Sequence, residues 1–197
     1  MNPMDRWRFR VGILTELVAR SQVKLGRTAL MKLAYLLQAI EGVPLGYDFR
    51  MYTYGPFDED LLNDLGQAES LRAVVSSMIP FERGGGYGYE FTRGPDADLV
   101  RKPVAGKIAR YVKSLSWVLE SFGHRSAAEL ELLSTIVHAD RHWLGRGERV
   151  FLDDFVKKIK DIKPRFSDDQ IKRSIDELQK MKMLKALDSR SLSLPTS

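Results

Sequence analysis

The chain has 197 residues, 44% of them hydrophobic, which is enough for one sizeable core or two small domains and argues against a disordered protein. It contains no cysteine, so disulfide scaffolds and thiolate zinc sites are excluded. The net charge of +5 is unevenly spread: residues 1–33 carry +5, residues 34–100 carry −7, residues 101–150 carry +4 and residues 151–197 carry +3. An acidic middle between basic ends limits where a nucleic-acid phosphate could rest.

Residues 8–19 place Phe9, Ile13, Leu14, Leu17 and Val18 at helical spacing and predict a first helix. Gly26 and Arg27 interrupt the pattern. Thr28 is the expected N-cap of a second helix with Leu30, Leu33, Ala34, Leu37 and Ile40 along one stripe, ended by Gly42 and Pro44. Residues 49–54 read as a short strand that runs into a Tyr-Gly-Pro turn, with Tyr52 and Tyr54 on one strand face. Asp58 caps a third helix to about Gly66, with Glu59 and Asp60 in its first turn.

Residues 74–82 and 87–92, split by the glycines of 83–86, predict a β-hairpin. A phosphate loop is the competing reading of those glycines, but no Gly-Lys-Ser/Thr ending or helix follows them. Residues 93–103 read as a linker and 104–122 as one long helix. Ser126 and Glu129 form a capping box for a helix to about His138. Helices over 155–162 and 168–183 follow, split by Pro164, the second capped by Ser167. Residues 184–187 are a candidate strand, and 189–197 a flexible tail.

This order predicts a mainly α (α+β) fold: a winged-helix-like module over 1–100 with a β-hairpin wing, then a long connecting helix and a helix-turn-helix-like module over 101–188.

Two blocks carry a resemblance: Lys24-Leu-Gly-Arg-Thr-Ala-Leu-Met-Lys-Leu-Ala-Tyr-Leu-Leu-Gln38 and Tyr52-Thr-Tyr-Gly-Pro-Phe-Asp-Glu-Asp-Leu61. A weaker third consists of Glu129-Leu-Glu-Leu-Leu-Ser-Thr-Ile136 and Ile162-Lys-Pro-Arg-Phe-Ser167. Together they resemble the YwgA-like proteins and, more distantly, the Panacea (SocA-type) domain of antitoxin-associated proteins. The resemblance implies toxin neutralisation or delivery of a toxin to a protease. It implies no catalytic residue set.

Candidate sites divide into three groups. Tyr52, Tyr54, Phe57, Asp58 and Glu59 are the candidate partner-binding residues, since tyrosine is favoured at interfaces; packing of the aromatics is the structural reading. Lys107, Arg110 and Lys113 recur near one helix face and are the candidate nucleic-acid contacts, with a solvated flank as the alternative. The third helix has no Lys or Arg, so it is ill suited to reading DNA. His138 and His142 have the spacing of a helical metal pair but no evident third ligand, and Ser134, His138 and Glu131 form only a chance-level constellation. No catalytic residue, metal site or cofactor is assigned.

The expected function is therefore that of a non-enzymatic regulatory interaction protein, antitoxin- or adaptor-like, binding a protein partner such as a toxin or a defence-system component. The alternative is a DNA-binding transcriptional regulator acting through basic helices. No apolar run spans a bilayer, so a cytoplasmic protein without a membrane partner is expected, with a homodimer compatible.

Overall fold

A computed structural model describes residues 2–80 and 86–188. Helix α1 (Pro3–Arg20) starts five residues earlier than the apolar periodicity implies, because the side chain of Asn2 accepts from the Asp5 amide and Pro3 opens the first turn. Strand β1 (Leu25–Gly26) is too short to show as a sequence pattern. Helix α2 (Arg27–Ala39) follows it directly, with Gly26 and not Thr28 at the N-cap. The stretch 49–54 is not one strand. β2 (Arg50–Tyr52) turns through Thr53 and Tyr54 into β3 (Gly55–Phe57), with Tyr52 paired to Gly55. The turn thus precedes the Gly-Pro pair, and Tyr54 sits in the loop and not on a strand face with Tyr52.

Asp58 caps α3 (Glu59–Ser70) as expected, accepting from the Asp60 amide at 2.8 Å. β4 (Val74–Pro80) and β5 (Tyr87–Arg93) pair antiparallel, Val74 opposite Arg93 and Pro80 opposite Tyr87. The expected turn at 83–86 lies outside the described residues except for Gly86, whose φ is +100°. β1 pairs with β5, giving a three-stranded antiparallel sheet of order β1-β5-β4; β2 and β3 form a separate two-stranded sheet.

The expected linker contains α4 (Ala97–Arg101). The expected long helix is broken into α5 (Ala105–Ile108) and α6 (Val112–Phe122), with 3-10 turns at Lys102–Val104 and Ala109–Tyr111. The broken path is seated on α1. At Gly12 of α1 an added Cβ would lie 2.8 Å from Val104 Cγ2 and 2.9 Å from Ile108 Cδ1, so these two side chains pack into the space that a larger residue would fill. α7 (Ala127–Gly145) carries the predicted capping box, α8 is Leu152–Ile162, and α9 (Asp168–Lys180) carries a second box from Ser167 and Gln170. Residues 184–187 are not a strand but make a single parallel bridge, Val150 to Leu187. The tail at 189–197 lies outside the described residues.

The fold is thus mainly helical with two small open sheets. Its buried apolar residues form one cluster from Phe9 to Leu187. α2 packs on α7 across the boundary drawn at residue 100, and β3 packs on α7 as well. That last contact positions the candidate site.

Candidate partner-binding hairpin and the buried charges beneath it

Tyr52 and Tyr54 project at the tip of the β2–β3 hairpin, 68% and 63% exposed. Their backbone is held from below. Gly55 has φ +86°, and a Cβ added there would lie 3.0 Å from Thr135 Oγ1 and 3.4 Å from the Glu131 carbonyl, so the strand rests directly on α7. Two lysines reach the hairpin carbonyls from inside: Lys32 Nζ donates to Pro56 O at 2.7 Å, and Lys163 Nζ donates to Thr53 O. Both lysines are buried.

Such lysines need a counter-charge, because an unpaired buried ammonium is costly. Glu131 of α7 supplies it. Its Oε1 lies 2.9 Å from Lys163 Nζ and its Oε2 lies 2.6 Å from Arg165 Nη2. Burial lowers the Lys32 pKa to about 8, opposed by attraction to Glu131 and reinforced by repulsion from Lys163. Lys32 from α2, Glu131 from α7, and Lys163 and Arg165 after α8 therefore converge beneath one exposed hairpin. None of the four was singled out from the sequence as part of this cluster. A signal was present: Lys32 and Glu131 each interrupt an otherwise apolar helical run.

The other candidate residues have different roles. Phe57 is half-buried, its ring 5.8 Å from that of Tyr52, so it supports the tip more than it presents itself. The Asp58 carboxylate is occupied by backbone amides, Asp60 N on one oxygen and Asp48 N at 2.5 Å on the other. Glu59 is exposed. Two further acids of α3 make internal contacts. Asp64 is buried, accepts from Tyr47 Oη at 2.9 Å and lies 3.7 Å from Arg10 Nη1; Asp60 lies 3.5 Å from the same guanidinium nitrogen. Burial raises the Asp64 pKa against the pull of Tyr47 and Arg10, and burial beside Asp64 raises that of Tyr47. Arg10 also donates to Leu45 O and Gly46 O, and covers the Tyr47 ring at 4.2 Å.

Lys107, Arg110 and Lys113 are all exposed, but on three different pieces of the broken helical path: α5, the 3-10 turn and α6. Lys107 and Arg110 border one concavity of about 260 Å³ with Phe9, Pro44 and Tyr111; Lys113 does not line it. His138 is half-buried 5.9 Å from the Tyr35 ring, and burial, with His142 nearby, lowers its pKa. No group of three or more His, Cys, Asp or Glu side chains is placed to hold a metal among the described residues. Ser134 donates to the Glu131 carbonyl at 3.2 Å while the Glu131 carboxylate is engaged by Lys163 and Arg165, so Ser134, His138 and Glu131 form no relay. Asp140, between the two histidines in sequence, is fully buried and accepts from the Lys185 and Ala186 amides, fastening the C-terminal segment to α7.

No helix among the described residues is long and apolar enough to cross a membrane. No protein-family model matches the chain, and no curated protein matches it.

Proposed function

We propose that this chain is a non-enzymatic regulatory protein that binds a protein partner through the tip of the β2–β3 hairpin. The observation that carries the reading is the pinned hairpin: two exposed tyrosines on a backbone whose Thr53 and Pro56 carbonyls are held by buried lysines. Tyrosines give large contact area at low entropic cost, and a tip fixed before binding loses little further freedom when it docks. The antitoxin- or adaptor-like character of the reading rests on the sequence resemblance alone.

We read the surrounding architecture as winged-helix-like. The order α1, β1, α2, α3, β4, β5, with β5 between β1 and β4, is that of a three-helix module with a wing, and the β2–β3 hairpin is an insertion before the third helix. α7, α8 and α9 then form the helix-turn-helix-like second module.

The test is site-specific photocrosslinking from positions 52 and 54 in cells, with the exposed Lys172 position as control. The reading expects a discrete adduct from the tip and none from the control. It also expects Tyr52→Ser/Tyr54→Ser to fold normally and to lose the complex when a tagged chain is used as bait. The absence of any tip-specific adduct would overturn it.

A second reading, a DNA-binding regulator, is favoured by the joint exposure of Lys107 and Arg110 around an aromatic-floored concavity. The absence of Lys and Arg from α3 argues against recognition through that helix.

A further inference from the structure

β4 is an outer strand of its sheet. Its only ladder among the described residues is the one with β5, and residues 74–80 make no backbone hydrogen bond to any other described segment. One row of its amides and carbonyls therefore faces outward. Sheet edges are normally guarded by charges, by a bulge or by a covering segment, because an unguarded edge is a template for another strand. Val74-Val-Ser-Ser-Met-Ile-Pro80 has no charged residue and runs for seven residues. Glu69 of α3 reaches the Ser76 hydroxyl, but Ser76 lies opposite Phe91, so this contact lies on the inner face of the sheet and does not cover the edge, which no described residue pairs with.

We propose that β4 pairs antiparallel with β4 of a second copy of this chain, about a two-fold axis at Ser77, joining two three-stranded sheets into one of six strands. The strand is suited to itself. Antiparallel pairing centred on Ser77 sets Val75 opposite Ile79 of the other copy on both sides of the axis, and β-branched cross-strand pairs are favourable. It brings no like charges together, because the strand has none. Val75 and Met78 are exposed in the single chain, so pairing covers apolar surface as well as backbone groups. Pro80 has no amide to donate and ends the ladder. An edge contact of this length buries less than a standard interface, so the dimer is concentration-dependent and not obligate. The surface is separate from the β2–β3 tip, which stays available to a partner.

The experiment is sedimentation equilibrium of the full chain from micromolar to millimolar concentration. The mass of the wild type rises toward twice that of the monomer. Ser77→Lys sets two ammonium groups against each other across the axis, while inside one chain it faces Glu90 and is accommodated. It raises the dissociation constant several-fold, since like charges directly opposite destabilise a ladder. Independently of any variant, hydrogen exchange of the wild type shows added protection at residues 74–80 as concentration rises. A wild type that stays monomeric, a Ser77→Lys variant that associates like wild type, or protection that does not change with concentration would each overturn the proposal.

Discussion

Lys163 and Glu131, thirty-two positions apart in sequence, face each other across 2.9 Å with 4% of each side chain exposed, and the same ammonium donates to the Thr53 carbonyl at the hairpin turn. One ion pair thus ties the segment after α8 to α7 and, through the backbone, to the tip that carries Tyr52 and Tyr54. Glu131 is the shared acceptor for buried Lys163 and half-exposed Arg165, so its removal leaves the Lys163 ammonium buried without its counter-charge. Glu131→Gln is expected to cost about 3–5 kcal/mol, the usual loss when one member of a buried pair is removed. Urea denaturation of the two proteins measures it. A loss under about 1 kcal/mol would mean that water already screens the cluster.

The alkaline limb of the stability curve probes Lys32. Its folded pKa, about 8, lies below the ordinary 10.5 because of burial. Between those values the unfolded chain holds a proton that the folded chain has released, so stability contributed by this group rises with pH from about 8 to 10.5. Below pH 8 both states are protonated and the contribution is flat. The comparison that isolates it is wild type against Lys32→Met, which removes the titration but leaves Pro56 O without its donor. The wild type gains on the variant across that window by up to about 3 kcal/mol, from the shift converted at 1.36 kcal/mol per unit. A constant difference from pH 7 to 10.5 would show that Lys32 does not titrate there.

Much of this frame was legible in the sequence. Caps and periodicity located α2, α3, α7, α8 and α9, because Asp58, Ser126 and Ser167 satisfy orphan amides by local chemistry that sequence records. The breaks in the 104–122 helix were not legible: they come from seating Val104 and Ile108 against Gly12, a contact between residues some ninety positions apart. The split of 49–54 into two strands was hidden for a similar reason. Gly55 adopts a positive φ and lies flat on α7, and nothing near it in sequence announces that surface. The tyrosines of the site could be named from their residue type. The lysines that fix them could not be assigned to it, because their partners are main-chain carbonyls of another element.

Gly55 itself provides a test of how rigidly the tip is held. Valine there must adopt φ near +86° and push its Cβ within about 3 Å of Thr135, whose hydroxyl is fully buried. Gly55→Val is expected to destabilise by about 1–3 kcal/mol, through backbone strain and overpacking together. A thermal melt reads the loss. An unchanged midpoint would show that β3 lifts off α7 at little cost, and the preorganisation argument for the tip would fall with it.

Salt-dependent binding of duplex DNA separates the protein-partner and DNA readings. If duplex DNA binds, the exposed cations Lys107, Arg110 and Lys113 are the contacts expected, and three phosphates neutralised give a slope of about −2.7 in log affinity against log salt. The break in the helical path sharpens this. Lys107 and Arg110 share one concavity and Lys113 lies on the next helix, so reversing Lys107 and Arg110 together removes about two thirds of that slope, while Lys113→Glu removes about one third. Glutamate is a good helix former, so α5 and α6 survive the changes. Replacing Glu59 and Asp60 of α3 by alanine leaves affinity the same or higher, because both repel phosphate. Titrations of one duplex at several salt concentrations, for wild type and each variant, decide among these outcomes. Tight binding that ignores both salt and charge reversal would exclude this surface, and a loss of affinity on removing the α3 acids from a folded chain would place recognition on α3 instead. No binding at any salt concentration would eliminate the DNA reading and leave the pinned tyrosine hairpin as the surface to pursue.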